Sequence, residues 1–309
     1  LLCRSLTPSN IKILRGVVCM LSGSIVALVT PMTIDGDVYW RAMDDLLEWH
    51  IEMGTAGIVP VGTTGESATV SVDEHCKIVE HVVNSVRKRV PVIAGTGANA
   101  TWEAIELTKA AKKAGADACL LVTPYYNKPT QEGLYQHYKA IADAVDLPQV
   151  LYNVPSRTAC DMLPQTIARL AELDSVVAVK EATGDIGRAR QILELCDLIV
   201  YSGDDISARE LMLNGAKGTI SVTANVAPDK MAAMCNAAIT GQAEDAAAID
   251  ESLVGLHNHL FLEANPIPVK WVLAEMGLIP RGIRLPLTQL SIEHHDQLLD
   301  SMRLAGITK

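Results

Sequence analysis

The side chain with the clearest chemical potential is a lysine that ends an apolar run. Residues 176–179 read Val-Val-Ala-Val, a pattern typical of a short buried strand, and lead directly into Lys180. An ammonium in a low-dielectric environment is unfavourable, so its pKa falls and the neutral amine becomes populated near pH 7. A neutral amine attacks carbonyl groups to form a Schiff base, which then stabilises a carbanion on the neighbouring carbon. In a plainer alternative, Lys180 extends to solvent or pairs with Glu181.

Hydroxyl and guanidinium groups follow other apolar runs. Tyr152 ends the preceding run, and a phenol beside an amine can transfer the protons of imine chemistry, although it also suits a core position. Thr63 and Thr64 lie between glycines and offer hydroxyls and backbone N–H groups to a carboxylate, although Gly-Thr turns are common. Arg157 follows Tyr152 and can hold a second carboxylate through paired hydrogen bonds, unless it is an ordinary surface arginine.

These residues follow repeated apolar runs that alternate with helical patterns. Eight runs recur at intervals that suit one strand and one helix each. They cover residues 23–31, 56–62, 90–97, 118–126, 149–155, 176–182, 198–205 and 218–225. One intervening segment, residues 101–115, is predicted to begin at a capping Thr101 and to stop at Gly115. Strands that are apolar along their whole length suit a parallel sheet covered on both faces. We predict an α/β fold, a (β/α)8 TIM barrel, with a doubly wound open sheet as the alternative.

The same pattern divides the chain into three parts. Residues 20–242 are predicted to form the barrel, and residues 243–309 an appended C-terminal helical region for packing or assembly. Met20 immediately precedes the first strand, and we expect it to be the natural start. Residues 1–19 would then be an N-terminal extension outside the fold.

Composition limits the classes of partner. The chain has 309 residues, with 26 Lys and Arg against 36 Asp and Glu, and a formal net charge of −10. An acidic chain without basic runs argues against a nucleic-acid partner, because phosphate contacts need clustered Lys and Arg. Beyond the N-terminal region, no segment has the roughly 18 clean apolar residues of a transmembrane helix, so we expect no membrane partner.

Cysteine and histidine patterns bear on location and cofactors. Seven cysteines, an odd number without a CxxC pair, predict reduced thiols in a cytoplasmic protein. The sequence contains neither HExxH nor a Cys/His cluster with zinc spacing, so we expect no metal. Residues 95–100 fit the GxGxxA pattern of dinucleotide binding, but the next strand does not end in the acid that this motif requires. We therefore expect no cofactor.

With these residues in place, the chain resembles the dihydrodipicolinate synthase family of Schiff-base aldolases. The resemblance rests on GTTGES (62–67), YNVPSRT (152–158) and VKEATG (179–184), in that order along eight strand–helix units. It covers essentially residues 20–307. It implies the condensation of pyruvate with L-aspartate-4-semialdehyde in the diaminopimelate route to L-lysine, on a TIM barrel.

The resemblance also implies catalytic roles. Pyruvate would form an imine with Lys180, and the resulting enamine would add to the semialdehyde. Tyr152 would donate and accept protons, and Thr63 and Tyr126 would complete a relay with it. The tyrosine that matches Tyr126 reaches in from a neighbouring subunit in this family, which implies an oligomer, usually a homotetramer built as a dimer of dimers.

Substrate binding and competing functions follow from the same comparison. Thr64 and the backbone at Ile220 would hold pyruvate, and Arg157 would hold the carboxylate of the semialdehyde. Sister aldolases such as N-acetylneuraminate lyase or a 2-keto-3-deoxy sugar acid aldolase share the lysine chemistry but not this arginine. A barrel that only senses a small acid is the rival from another class, and it has little need of the whole relay.

Feedback control by L-lysine is a further implication of the resemblance. Seven positions match residues that bind L-lysine between two subunits of bacterial relatives: Ser67, Ala68, His75, Gly97, Asn99, Glu103 and Tyr125. Tyr125 adjoins the relay residue Tyr126, so a bound lysine would disturb proton transfer. The sequence departs from the pattern at Val72, where well-inhibited relatives can carry histidine. We therefore expect inhibition of moderate or weak potency.

Overall fold

Eight parallel strands form the centre of the molecule. The computed structural model describes residues 21–307, and the expectation for residues 1–19 falls outside them. The strands β1 to β8 are Gly23–Ala27, Gly57–Val59, Ile93–Gly95, Ala118–Val122, Gln149–Asn153, Val176–Glu181, Ile199–Ser202 and Gly218–Ser221. Each predicted apolar run contains one strand. The sheet order runs from β2 through β1, β8, β7, β6, β5 and β4 to β3, and a parallel bridge between Ile58 and Val92 closes the ring. The predicted (β/α)8 barrel is confirmed, and the open sheet is excluded.

Helices cover the outside of the barrel and form the C-terminal region. Around the barrel, α1 to α9 are Trp40–Glu52, Val72–Val86, Thr101–Ala114, Gln131–Ala144, Pro155–Thr158, Pro164–Leu170, Ile186–Leu195, Ala208–Leu213 and Pro228–Ile239. The helices α10 to α12 are Ala243–His259, Ile267–Glu275 and His295–Leu304, and short 3-10 turns cover Thr223–Asn225 and Ile292–His294. Between residues 21 and 307, no helix is long and apolar enough to cross a membrane.

Local sequence signals fix several helix ends. At the start of α2, the Ser71 hydroxyl accepts from the Glu74 N–H at 3.3 Å, and the Glu74 carboxylate accepts from the Ser71 N–H at 3.1 Å. The helix α3 ends at Gly115, as predicted, with a φ of 93° that favours glycine. Its predicted cap is wrong: Ala100 occupies the N-cap position, because the Thr101 hydroxyl hydrogen-bonds to His137 Nδ1 at 2.9 Å.

Two apolar layers stabilise this arrangement. One lies between the sheet and the helices. The other fills the barrel interior, where side chains from the strands pack against one another, including Ile25, Ile93, Val150, Tyr201 and Ile220. The interior is therefore a packed core, and the space for a ligand is left at the carboxyl ends of the strands.

The seam between β1 and β8 depends on the close approach of two glycines. Gly23 pairs with Gly218 in the parallel register, and a Cβ added at Gly218 would lie 2.1 Å from the Gly23 carbonyl oxygen. No side chain fits at this point without separating the strands. The seam therefore limits how the barrel closes.

We expect Gly218→Ala to destabilise the fold by about 3 kcal/mol or more, because the added methyl group overpacks the seam. Gly241→Ala is the matched control, because a Cβ at this position would meet nothing within 4 Å. Only the backbone φ of 79° disfavours the alanine, and we expect a loss of stability of about 1 kcal/mol. Thermal unfolding followed by circular dichroism measures both. Equal losses of melting temperature would contradict the importance of the seam.

Candidate active site

The candidate active site begins with two neighbouring strand ends. Lys180 lies near the carboxyl end of β6 and pairs in register with Tyr152 of β5 on one side and Tyr201 of β7 on the other. Lys180 and Tyr152 are buried, at 5% and 7% exposure. The Lys180 Nζ atom lies 4.4 Å from the centroid of the Tyr152 ring. The sequence-predicted amine and phenol are therefore direct neighbours.

The plainer interpretation of the sequence, in which Glu181 pairs with Lys180, is wrong. Its carboxylate instead accepts hydrogen bonds from Arg188 Nε at 3.2 Å, Asn153 Nδ2 at 3.3 Å and the Thr183 N–H at 2.9 Å. Adjacent residues of a strand point to opposite faces, so the Glu181 side chain points away from the face of the strand that carries Lys180. The buried amine keeps its access to the barrel mouth.

Burial determines the charge state of the two central groups. Removal from water lowers the pKa of Lys180 to about 8; the charge of Asp205 acts in the opposite direction, and that of Arg157 lowers it further. Roughly a tenth of such an amine is neutral at pH 7. Burial raises the pKa of Tyr152, an effect that Arg157 and a hydrogen bond with Thr63 partly offset. The phenol therefore keeps its proton near neutral pH.

The loop after β7 supports Lys180 in a way that the sequence did not indicate. A Cβ at Gly203 would lie 2.9 Å from Lys180 Cε and 2.5 Å from Ala182 Cβ, so a glycine is needed beside the lysine stem. Asp205 Oδ2 accepts from the N–H groups of Val222 and Thr223 at 3.0 and 2.9 Å. This loop therefore both makes room for the amine and holds the end of β8.

A cavity of about 430 Å³ opens above the amine at the carboxyl end of the barrel. Five sequence-predicted residues line it together: Thr63, Thr64, Tyr152, Arg157 and Lys180. Apolar side chains such as those of Val59, Leu120 and Val222 also line it. A volume of this size suits one or two small molecules, and the polar groups converge on its interior.

The loop that carries Thr63 and Thr64 is fixed by the C-terminal region. Glu66, which follows them, is 3% exposed with a φ of 58°; its carboxylate pairs with the buried Lys270 and accepts from the Arg284 N–H at 3.2 Å. Thr64 Oγ1 accepts from Asn265 Nδ2 at 2.9 Å. The sequence analysis did not predict these supporting contacts. Two of the residues, Asn265 and Lys270, lie in the segment NPIPVK (265–270).

Two predicted residues do not reach the cavity of this chain. The Ile220 side chain is buried in the barrel interior at 1% exposure, and Val222 lines the cavity nearby, so the predicted contact of pyruvate with the Ile220 backbone stays a prediction. Tyr126 is 87% exposed and has a φ of 74°, and its N–H donates to the Thr158 carbonyl at 3.3 Å. The described chain thus brings Thr63 and Tyr152 together, but not the third member of the predicted relay.

A second cavity, of about 370 Å³, lies beside the first. Six of the seven residues predicted to bind lysine line it: Ser67, Ala68, His75, Gly97, Glu103 and Tyr125. The seventh, Asn99, donates from Nδ2 to the Tyr125 carbonyl at 3.2 Å. Burial lowers the pKa of His75 to about 4, and burial followed by the charge of Glu103 raises the pKa of Tyr125.

The two cavities share a wall. Five residues line both: Thr63, Val154, Arg157, Ala264 and Asn265. Within residues 21–307, no group of three or more His, Cys, Asp or Glu side chains is arranged to hold a metal ion. The polar side chains that line the first cavity are the lysine, the phenol, the threonine hydroxyls and the guanidinium, together with Ser156, Asp204 and Asn265.

Known proteins resemble the chain over nearly its whole length. Residues 20–304 match the dihydrodipicolinate synthetase family. Proteins called 4-hydroxy-tetrahydrodipicolinate synthase from Pseudomonas syringae and Pseudomonas aeruginosa are 60% and 58% identical over 290 residues, which are 93% of this chain and 99% of each relative.

Solved structures agree with this similarity. The chloride-inhibited dihydrodipicolinate synthase of Acinetobacter baumannii, in complex with pyruvate, superposes with a TM-score of 0.92 at 56% identity, covering 94% of this chain and 100% of that one. The enzyme of Cyanidioschyzon merolae with lysine bound gives a TM-score of 0.90 at 38% identity, covering 93% and 99%. The chain therefore belongs to the dihydrodipicolinate synthetase family, and like its relatives it is a lyase.

Proposed function

We propose that this enzyme condenses pyruvate with L-aspartate-4-semialdehyde, the 4-hydroxy-tetrahydrodipicolinate synthase reaction of the diaminopimelate route to L-lysine. The observation that carries the proposal is the buried Lys180 amine, which lies beside Tyr152 and lines one cavity with Thr64 and Arg157. Relatives at 58–60% identity bear the name of that activity, and one structural relative is a complex with pyruvate.

The first half of the reaction uses the amine and the phenol. Neutral Lys180 attacks the ketone carbon of pyruvate, and water leaves to give an imine. Tyr152 transfers the protons of these steps, helped by its hydrogen bond with Thr63. Loss of a proton from the pyruvate methyl group then gives the enamine, while Thr64 holds the carboxylate.

The second half joins the two substrates. The enamine carbon attacks the aldehyde carbon of the semialdehyde, and the new alkoxide takes up a proton. The amino group of the semialdehyde then attacks the imine carbon, closes the ring and releases Lys180 as an amine. Arg157, on the cavity wall, binds the carboxylate of the semialdehyde through paired hydrogen bonds. Atoms and charges balance, with one water released on imine formation.

Assembly completes the proton relay. Tyr126 has a side chain that is 87% exposed and a φ of 74°, which is costly for a residue other than glycine. Such a residue suits a place in the active site of a neighbouring subunit, where its ring is buried and its hydroxyl meets Thr63 and Tyr152. We accordingly propose a homotetramer, a dimer of dimers, in the cytoplasm. The free thiols of the described cysteines support that reducing location.

Inhibition by L-lysine belongs to the second cavity. Glu103 supplies a carboxylate for an ammonium group, and neutral His75 and Tyr125 supply further polar contacts. Binding of L-lysine would affect the active site through the wall that the two cavities share, which includes Thr63 and Arg157. Val72, at 53% exposure, also lines the cavity and lacks an imidazole, which supports moderate or weak inhibition.

The function is tested by turnover of pyruvate with L-aspartate-4-semialdehyde, coupled to an NADPH-dependent reductase, with N-acetylmannosamine as the parallel acceptor. We expect turnover with the semialdehyde alone. Arg157→Ala should raise the KM for the semialdehyde about 10- to 100-fold, the worth of a charge-assisted pair, and change the KM for pyruvate far less. Arg157→Lys is the control that keeps the charge. Turnover with the sugar alone would identify a sister aldolase, and turnover with neither would favour a sensor.

The rate of imine formation should depend on pH through Lys180. The ammonium form is unreactive, so kcat/KM for pyruvate should rise about tenfold per pH unit below pH 8 and level off above it. Asp205→Asn removes a charge that raises the pKa of Lys180, so its plateau should begin at lower pH. A profile that stays flat between about pH 6 and 9, or an unshifted profile for the variant, would contradict this account of the amine.

Half-maximal inhibition of Glu103→Gln should need about tenfold more L-lysine, or more still, than that of the wild type. The reason is that the ammonium group of the ligand loses its carboxylate partner. Glu106→Gln is the matched control on the same helix, since Glu106 is exposed and pairs with Lys109 at 2.8 Å away from the cavity. Initial rates measured at increasing L-lysine compare the two. Wild-type rates unchanged at millimolar L-lysine would remove the regulatory proposal.

A further inference from the structure

A residue of the C-terminal region reaches the candidate active site without an assigned role. Asn265 lies between α10 and α11, and is 6% exposed. It lines both cavities. Its position, some 200 residues from the loop that it contacts, explains why no sequence motif indicates its purpose.

Asn265 contacts both groups that are proposed to bind carboxylates. Its side-chain Nδ2 donates to Thr64 Oγ1 at 2.9 Å, and its backbone carbonyl oxygen accepts from Arg157 Nη2 at 3.5 Å. Thr64 is itself 2% exposed, so its hydroxyl has little access to bulk solvent. One residue thus connects the two ends of the proposed substrate site.

The direction of the Asn265–Thr64 hydrogen bond has a chemical consequence. An amide nitrogen only donates, so the Thr64 oxygen must accept in this contact, and the single proton of the hydroxyl stays available for another acceptor. Among the described residues, no second partner of Thr64 Oγ1 is recorded. Because Thr64 lines the cavity above Lys180, that proton can be donated to an anion in the cavity.

The opposite direction of this hydrogen bond would disfavour the binding of an anion. If the amide oxygen faced Thr64, the hydroxyl would donate to it and present only lone pairs to the cavity. In the observed arrangement, Asn265 Oδ1 is buried without a hydrogen-bond partner in the described chain.

We propose that Asn265 is a positioning residue, which orients the Thr64 O–H so that it donates to the carboxylate of pyruvate. The inference rests on the proposed function, because pyruvate supplies the anion. A hydroxyl that donates to a carboxylate forms a shorter and stronger hydrogen bond than one between neutral groups. Through its backbone carbonyl, Asn265 also contacts Arg157, which lines the same cavity.

The test compares Asn265→Asp with Asn265→Ala in steady-state kinetics. Aspartate has the shape of asparagine but no donor when ionised, so it should take the Thr64 proton for itself. We expect N265D to raise the KM for pyruvate about tenfold or more, and N265A to raise it less, because its hydroxyl stays free to rotate. A merely structural role predicts the reverse order, since aspartate preserves the packing better than alanine does.

A double-mutant cycle with Thr64→Val separates this route from a direct effect of charge. In the T64V background, N265D should add little to the KM for pyruvate, because no hydroxyl remains to be turned. Thermal unfolding checks that each variant is folded, and the same cycle with N265A serves if N265D does not fold.

Four results would overturn the inference. If the wild type is active, a smaller rise of the KM for pyruvate in N265D than in N265A would exclude the role of Asn265 but leave the proposed function standing. An N265D effect on this KM that persists undiminished in T64V would do the same. If N265A alone is available, an effect on the KM for pyruvate that is equal with and without the Thr64 hydroxyl would exclude it. A wild-type protein without turnover would instead overturn the proposed function, and the inference with it.

Discussion

The burial of one amine is the constraint on which the rest of the site depends. The barrel removes Lys180 from water, which lowers the pKa of its amine, and the strand register fixes Tyr152 beside it. A partner carboxylate at contact distance would hold the amine in its charged form. Glu181 is directed to Arg188 instead, and Gly203 leaves space for the lysine stem.

The C-terminal region supports the candidate active site as well as the fold. The loop that follows β2 carries Thr63 and Thr64 in a conformation that includes the strained Glu66. Lys270 pairs with that buried carboxylate, and Asn265 holds the hydroxyl of Thr64. A buried charge without its partner is strongly unfavourable, so the barrel loop and the helical region are expected to keep their geometry together.

Sequence reasoning predicted which residues would lie together where residue type and strand position combine, and the structure brings them to one cavity. Lys180, Tyr152 and Arg157 were predicted to be neighbours because the strands of a parallel barrel end at one face, where functional groups of this fold lie. Asn265 and Asp205 were missed because their roles depend on contacts between distant segments, which leave no local pattern. The helix cap at Ala100 likewise depends on tertiary packing, which propensity does not encode.

The central claim is that Lys180 is the nucleophile, and reductive trapping tests it most directly. The protein is incubated with pyruvate and sodium borohydride, and its intact mass and peptide map are then measured. The account predicts a mass increase of one reduced pyruvate per chain, located on the peptide that contains Lys180, and none in a Lys180→Ala protein. An adduct on another lysine, or no adduct in the active enzyme, would contradict it.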